Sequence, residues 1–249
     1  MEPLIEHAME VAGHRTRVLE LEGRGPGIVL LHGWGEGADT WRPLLAELAA
    51  SGRRAIAVDL PGFGRASRLA PGAILPQLDD FAAALVLEWG EGEPVVVAGS
   101  SLGGAIALRL AEQADLPLAG VVPVAPAGLE KPGWFDVVER DPIIRRLLDM
   151  PIPVPVALVR SFSGPAFRAP KLSHPQLPEL AAAPFDLGAV ACPVMLVWGA
   201  RDRLIPHTGA RNVLDALPDT RVKLIEGCGH SPQLEATEEL LELLLEFPA

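Results

Sequence analysis

The chain has 249 residues, 49% of them hydrophobic, and a formal net charge of −11; this composition excludes a disordered chain and leaves room for a substantial core. With that charge and no lysine- or arginine-rich run, nucleic acid is repelled and excluded as a partner. The longest stretch without a charged side chain, Pro94 to Leu108, covers 15 residues, short of the roughly 20 that a membrane-spanning helix needs, and no basic segment leads into an apolar core at the N-terminus, so the expectation is a soluble, cytoplasmic protein.

In chain order, "HAMEVA" and "TRVLELEG" read as a β-hairpin with its turn at Gly13-His14. Six short apolar runs follow: "GIVLLHG", "RRAIAVDLPG", "PVVVAGSS", "AGVVPVAPAG", "PVMLVWG" and "RVKLIEG". Several are apolar at consecutive positions, as strands covered on both faces are. Between them "TWRPLLAELAAS", "LDDFAAALVLEWG", "GGAIALRLAEQA", "GARNVLDALP" and "TEELLELLLEF" carry helical periodicity. Alternation of this kind predicts an α/β fold, an eight-stranded and mostly parallel sheet with helices on both faces. The rhythm breaks from Gly128 to Asp186, where ten prolines interrupt the chain. Residues 128–186 are therefore expected to be a cap inserted into a core made of 1–127 and 187–249. Within the cap, "DPIIRRLLD" is the best helix candidate, with Asp141 as its N-cap and Pro142 at its first position. Cys192 and Cys228 flank different strands at opposite edges of the sheet, too far apart to be bridged, so both are expected to be free thiols, as suits a reducing compartment.

Gly99-Ser100-Ser101-Leu102-Gly103 fits G-x-S-x-G between the "PVVVA" strand and the "GAIALRLAEQA" helix, the context that makes this pentapeptide a nucleophile elbow. For Ser100 to be central, positions 98 and 102 would have to be glycine; they are Ala98 and Leu102, so Ser101 is the candidate nucleophile. A serine hydroxyl needs a base, and the base an orienting acid. Among six histidines, His230 in "IEGCGHSPQLE" follows the last strand at the edge shared with Ser101. Asp202 in "VWGARDRLIP" follows the preceding strand at the same edge; the other reading of this aspartate is a helix cap. The order Ser101, Asp202, His230 is the one associated with this elbow.

From "LLHGWGEGADTW" through "DLPGFGRAS", "GSSLGG" and "VWGARDRLIP" to "GCGHSPQLE", the sequence resembles an α/β-hydrolase over essentially its whole length, and it is most similar to small carboxylesterases, including those that cleave pimeloyl-carrier esters. The stretch after "DLPG" is one residue longer than the G-x-G-x-S spacing common in such proteins. The resemblance implies an oxyanion hole built from the backbone N–H groups of Trp34 and Leu102, with His32 and Gly33 shaping the first of these loops. Asp59 reads as structural.

These residues imply acyl transfer from a small-molecule ester to water, with no metal and no organic cofactor. The cap would roof the site, and Trp134, Phe135, Phe162 and Phe167 are candidate lining residues for an apolar group. The same triad also serves lactone hydrolysis, C–C cleavage of a diketone and perhydrolysis, and a ligand receptor can retain the fold, so those readings stay open here. A monomer or small homo-oligomer, with no membrane partner, completes the expectation.

Overall fold

A computed structural model describes residues 4–130 and 185–247. The chain opens with β1 (Ile5–Val11) and β2 (His14–Leu21), then β3 (Arg24–Leu31), α1 (Arg42–Ser51), β4 (Arg53–Val58), α2 (Ile74–Gly90), β5 (Val95–Ser100), α3 (Leu102–Ala111) and β6 (Leu118–Val124). After the segment that interrupts the pattern come β7 (Met195–Gly199), α4 (Ala210–Ala216), β8 (Arg221–Ile225), α5 (Pro232–Glu235) and α6 (Thr237–Glu246). The predicted helix at "DPIIRRLLD", and all but the margins of the predicted cap, lie outside the described residues.

Eight strands form one sheet in the order β1-β2-β4-β3-β5-β6-β7-β8. The β1–β2 and β2–β4 pairs are antiparallel and every other pair is parallel, the mostly parallel α/β sheet that the sequence predicts. The hairpin turn differs from the expectation by one residue. Ala12 and Gly13, not Gly13 and His14, occupy it, with φ of 48° and 75°, and His14 already pairs with Val11. A two-residue hairpin of type I′ needs two consecutive left-handed residues, which fixes the turn one position earlier.

The continuous apolar runs are explained by burial on both faces. Val29, Leu31, Ile56, Val58, Leu196 and Trp198 pack toward α2, α3 and α4. Their chain neighbours Ile28, Leu30, Ala55, Ala57, Met195 and Val197 pack toward α1 and α6. Side chains alternate across a strand, so a strand sandwiched between helices must be apolar at every position. In α6, Leu240, Leu243 and Leu244 are buried while Glu238, Glu239 and Glu242 face outward, the one-sided stripe of a helix lying on a sheet.

From β3 the chain steps outward to β4, then returns past β3 to β5 and continues the opposite way to β8. The order reverses between β3 and β5, and a crevice opens beyond the carboxyl ends of strands at such a reversal. Among the described residues, no helix is long and apolar enough to cross a membrane. Cys192 and Cys228 are free thiols, and burial pushes them up to about 11 and about 12 respectively, so both stay protonated near neutrality.

Candidate active site

Two loops face each other at the switch point, one after β3 and one after β5. Ser101 sits between the last residue of β5 and the first of α3 with φ 53° and ψ −107°, a backbone conformation that costs a non-glycine residue on the order of 1–3 kcal/mol and persists only where its surroundings enforce it. Here they do so with hydrogen bonds on both sides. The Ser101 N–H donates to the Val124 carbonyl at 2.8 Å, and the Ser101 carbonyl accepts from Ala105 and Ala127 at 3.0 and 3.1 Å. The flanking glycines are there for space. A Cβ on Gly99 would lie 2.1 Å from the Gly103 carbonyl oxygen, and one on Gly103 would lie 2.2 Å from that of Leu31. Ser100, by contrast, is a buried strand residue paired with Val124.

Asp202 and His230 come together from the loops after β7 and β8. His230 Nδ1 is 2.7 Å from Asp202 Oδ2. The Asp202 side chain is fully buried and that of His230 is 13% exposed, which leaves one edge of the imidazole accessible. The other Asp202 oxygen, Oδ1, accepts from the N–H groups of Leu204 and Ile205 at 2.8 and 3.0 Å. Asp202 caps no helix: one oxygen holds the bend that follows it and the other meets the histidine. The His230 loop is clasped by Glu235, whose two oxygens accept from Gly229 and Ser231 at 2.8 and 3.0 Å, one residue either side of His230.

The loop after β3 is a tight turn over Gly33-Trp34-Gly35-Glu36. The Glu36 N–H donates to the Gly33 carbonyl at 3.2 Å and Gly35 has φ 74°, as the third residue of a type II turn does. His32 is fully buried. Its Nε2 accepts the Leu60 N–H at 2.9 Å, so its proton resides on Nδ1, which donates to the Gly33 carbonyl at 2.7 Å. Two donors therefore fix that carbonyl. In a trans peptide the following N–H points the opposite way, so the direction of the Trp34 N–H is fixed with it. The Trp34 ring rests edge-on against Phe63, centroids 5.3 Å apart. Leu102, the other expected donor, opens α3, where first-turn N–H groups lack partners within the helix. A Cβ on Gly33 would lie 3.4 Å from Ser101 Cβ, so the two loops are in contact.

Trp134, Phe135, Phe162 and Phe167 lie outside the described residues. The remaining described histidines are elsewhere: His7 meets Glu20, His14 meets Ser67, and His207 begins the short turn before α4. Sequence reasoning missed Glu36 and Glu235. Only the second has a local signal, a serine, a proline and a glutamate at the start of a helix in "HSPQLE".

Residues 28–243 match the family model described as "Alpha/beta hydrolase family". The chain is similar to the pimeloyl-[acyl-carrier protein] methyl ester esterase of Aromatoleum aromaticum, 31% identical with 88% of this chain and 96% of that protein covered. It is also similar to the dihydrolipoyllysine-residue acetyltransferase component of the acetoin cleaving system of Pseudomonas putida, 30% identical with 96% of this chain and 68% of that protein covered. A thermophilic esterase from Thermogutta terrifontis shares the fold at 20% identity, with a TM-score of 0.72 and coverage of 98% of this chain and 97% of that one. The family match begins inside β3 and ends inside α6, taking in every parallel strand and both sides of the switch point, and the chain belongs to the alpha/beta hydrolase family.

Proposed function

We propose that the protein is a serine carboxylesterase that cleaves esters of small to medium, mainly apolar acyl groups through an acyl-enzyme intermediate. The observation that carries this reading is the 2.7 Å contact between His230 and Asp202 at the sheet edge where the strained Ser101 is presented. The ester-named relatives support it. In the first step Ser101 Oγ attacks the ester carbonyl carbon and its proton passes to His230 Nε2, while Nδ1–H donates to Asp202, which holds the tautomer and stabilises the imidazolium. The N–H groups of Trp34 and Leu102 receive the developing oxyanion; a single donor of this kind is worth roughly 3 kcal/mol. The tetrahedral intermediate then expels the alkoxide, which takes the proton from His230. Water attacks the acyl-enzyme, giving its proton to His230, and collapse frees the acid and returns the proton to Ser101.

The test is hydrolysis of p-nitrophenyl esters from acetyl to decanoyl by the parent and by Ser101→Ala, Ser100→Ala and His230→Ala. Ser101→Ala and His230→Ala are expected to lose roughly 10^4-fold or more in kcat, because these groups act as a unit, and Ser100→Ala far less. Equal activity in the parent and Ser101→Ala would overturn the reading.

A further inference from the structure

The mechanism above makes no use of Glu36, although its carboxylate is buried among the reacting groups. Glu36 is 6% exposed and its Oε2 accepts the Gly33 N–H at 3.0 Å. A Cβ on Gly33 would lie 3.2 Å from that same oxygen and 3.4 Å from Ser101 Cβ, so the carboxylate and the serine lie close to one residue. Burial pushes the Glu36 carboxyl above the usual carboxylate range, opposed by the Gly33 N–H and by the nearby His230. Thr40 is itself fully buried, and its Oγ1 lies 3.5 Å from Nε2 of Gln233, also fully buried. Gln233 lies in α5, three residues after His230.

The turn has reason to need such support. Its closing hydrogen bond, Glu36 N–H to Gly33 carbonyl, is long at 3.2 Å, and Gly33 has no side chain to restrict its own rotation. His32 and the Glu36 N–H fix the peptide plane on one side of Gly33. The Glu36 carboxylate fixes the plane on the other side. With both held, Gly33 cannot pivot and the Trp34 N–H stays aimed.

We propose that Glu36 is a positioning residue of the acyl-transfer site: its side chain locks the turn that presents the Trp34 N–H. This rests on the serine esterase reading. The carboxyl keeps an acceptor oxygen whether or not it is ionised, so the lock needs an acceptor at this place and no charge.

The experiment measures kcat and KM for p-nitrophenyl butyrate, and inhibition by phenylboronic acid, in the parent, Glu36→Ala, Glu36→Gln, Glu36→Met and Ser101→Ala. Phenylboronic acid accepts Ser101 Oγ at boron and mimics the tetrahedral state. Glu36→Ala is expected to lower kcat about 100-fold, the cost of a misplacement of about 1 Å, with KM within about threefold of the parent and inhibition weakened in step with kcat. Glu36→Gln, which keeps an acceptor oxygen, should recover most of the loss. If Glu36→Ala does not fold, Glu36→Met, which fills the space and removes the acceptor, carries the same test with the same expected fall in kcat, about 100-fold. Parental kcat and boronate affinity in Glu36→Ala, or in Glu36→Met where that variant stands in, would overturn the proposal, as would a Glu36→Gln variant no better than the one lacking the acceptor. Equal rates in the parent and Ser101→Ala would instead overturn the esterase reading beneath it.

Discussion

His32 shows how a titratable residue can be used for shape alone. Both ring nitrogens are engaged, Nε2 as acceptor from Leu60 and Nδ1 as donor to Gly33. A second proton would have to sit on Nε2, facing the Leu60 N–H, inside a site without water access. Burial accordingly pulls the imidazole from the ordinary 6.5 down to about 4. Because the folded value is depressed, the unfolded chain binds a proton that the folded chain refuses between these limits. The contribution to stability is complete above pH 6.5 and is lost as pH falls toward about 4. Each unit of that interval is worth about 1.4 kcal/mol, so His32 should remove about 2 kcal/mol of stability between pH 7 and pH 5. Urea unfolding of the parent and of His32→Gln at the two pH values checks this. The variant, whatever its absolute stability, should show the smaller drop; equal drops would place the titration elsewhere.

At the scale of elements, what brings the two loops together is the contact of the first turn of α3 with the end of β3. Gly103 is helical, and helix propensity by itself says that Gly103→Ala should stabilise α3 by about 1 kcal/mol. Contact geometry says the reverse. The added Cβ would meet the Leu31 carbonyl oxygen at 2.2 Å, its carbon at 2.6 Å and the His32 oxygen at 2.9 Å. All three are backbone atoms of the strand end, so nothing can rotate aside, and overpacking of this kind costs about 1–3 kcal/mol or more. Gly103→Ala is therefore expected to be less stable than the parent in urea unfolding, and a more stable variant would mean that α3 can lift off β3. A helix start that the sequence obscures lies in α2. In α2, periodicity suggested a start near Leu78, yet the helix begins at Ile74 with Pro76 in its first turn, where a missing N–H leaves no hydrogen bond broken.

Across the whole molecule, legibility followed the range of the signal. The parallel strands were readable because burial on both faces writes a local apolar run, and Ser101 because G-x-S-x-G is local and sits on a strand–helix junction. That Asp202 and His230 meet follows from their place after successive strands, which is a property of topology. Glu36 was not found, because a glutamate reaching back three residues to a turn N–H leaves no periodic trace, and Thr40 and Gln233 were not, because their contact spans 193 residues. Asp59 stands between these cases, readable as structural while its partners were not. Its buried carboxylate accepts from Arg17 Nε and Nη2 at 3.1 Å each, from the Ala38 N–H at 2.7 Å and from the Arg65 N–H at 2.7 Å, and Thr16 Oγ1 donates to its backbone carbonyl. Burial alone would raise this carboxyl, but Arg17 and the two N–H groups hold it below the ordinary value, and the Arg17 guanidinium holds Asp39 down to about 2. One side chain thus joins β2, the turn before α1 and the loop after β4. Removing one member of a buried pair strands the other, at a cost of about 3–5 kcal/mol, whereas removing both forfeits much less than the sum. Asp59→Ala should fall in that range by urea unfolding. The double variant Arg17→Met, Asp59→Ala should be more stable than addition of the two single losses requires, by at least about 1 kcal/mol. Strict additivity would mean that Asp39 already satisfies Arg17 and that Asp59 acts through its backbone partners alone.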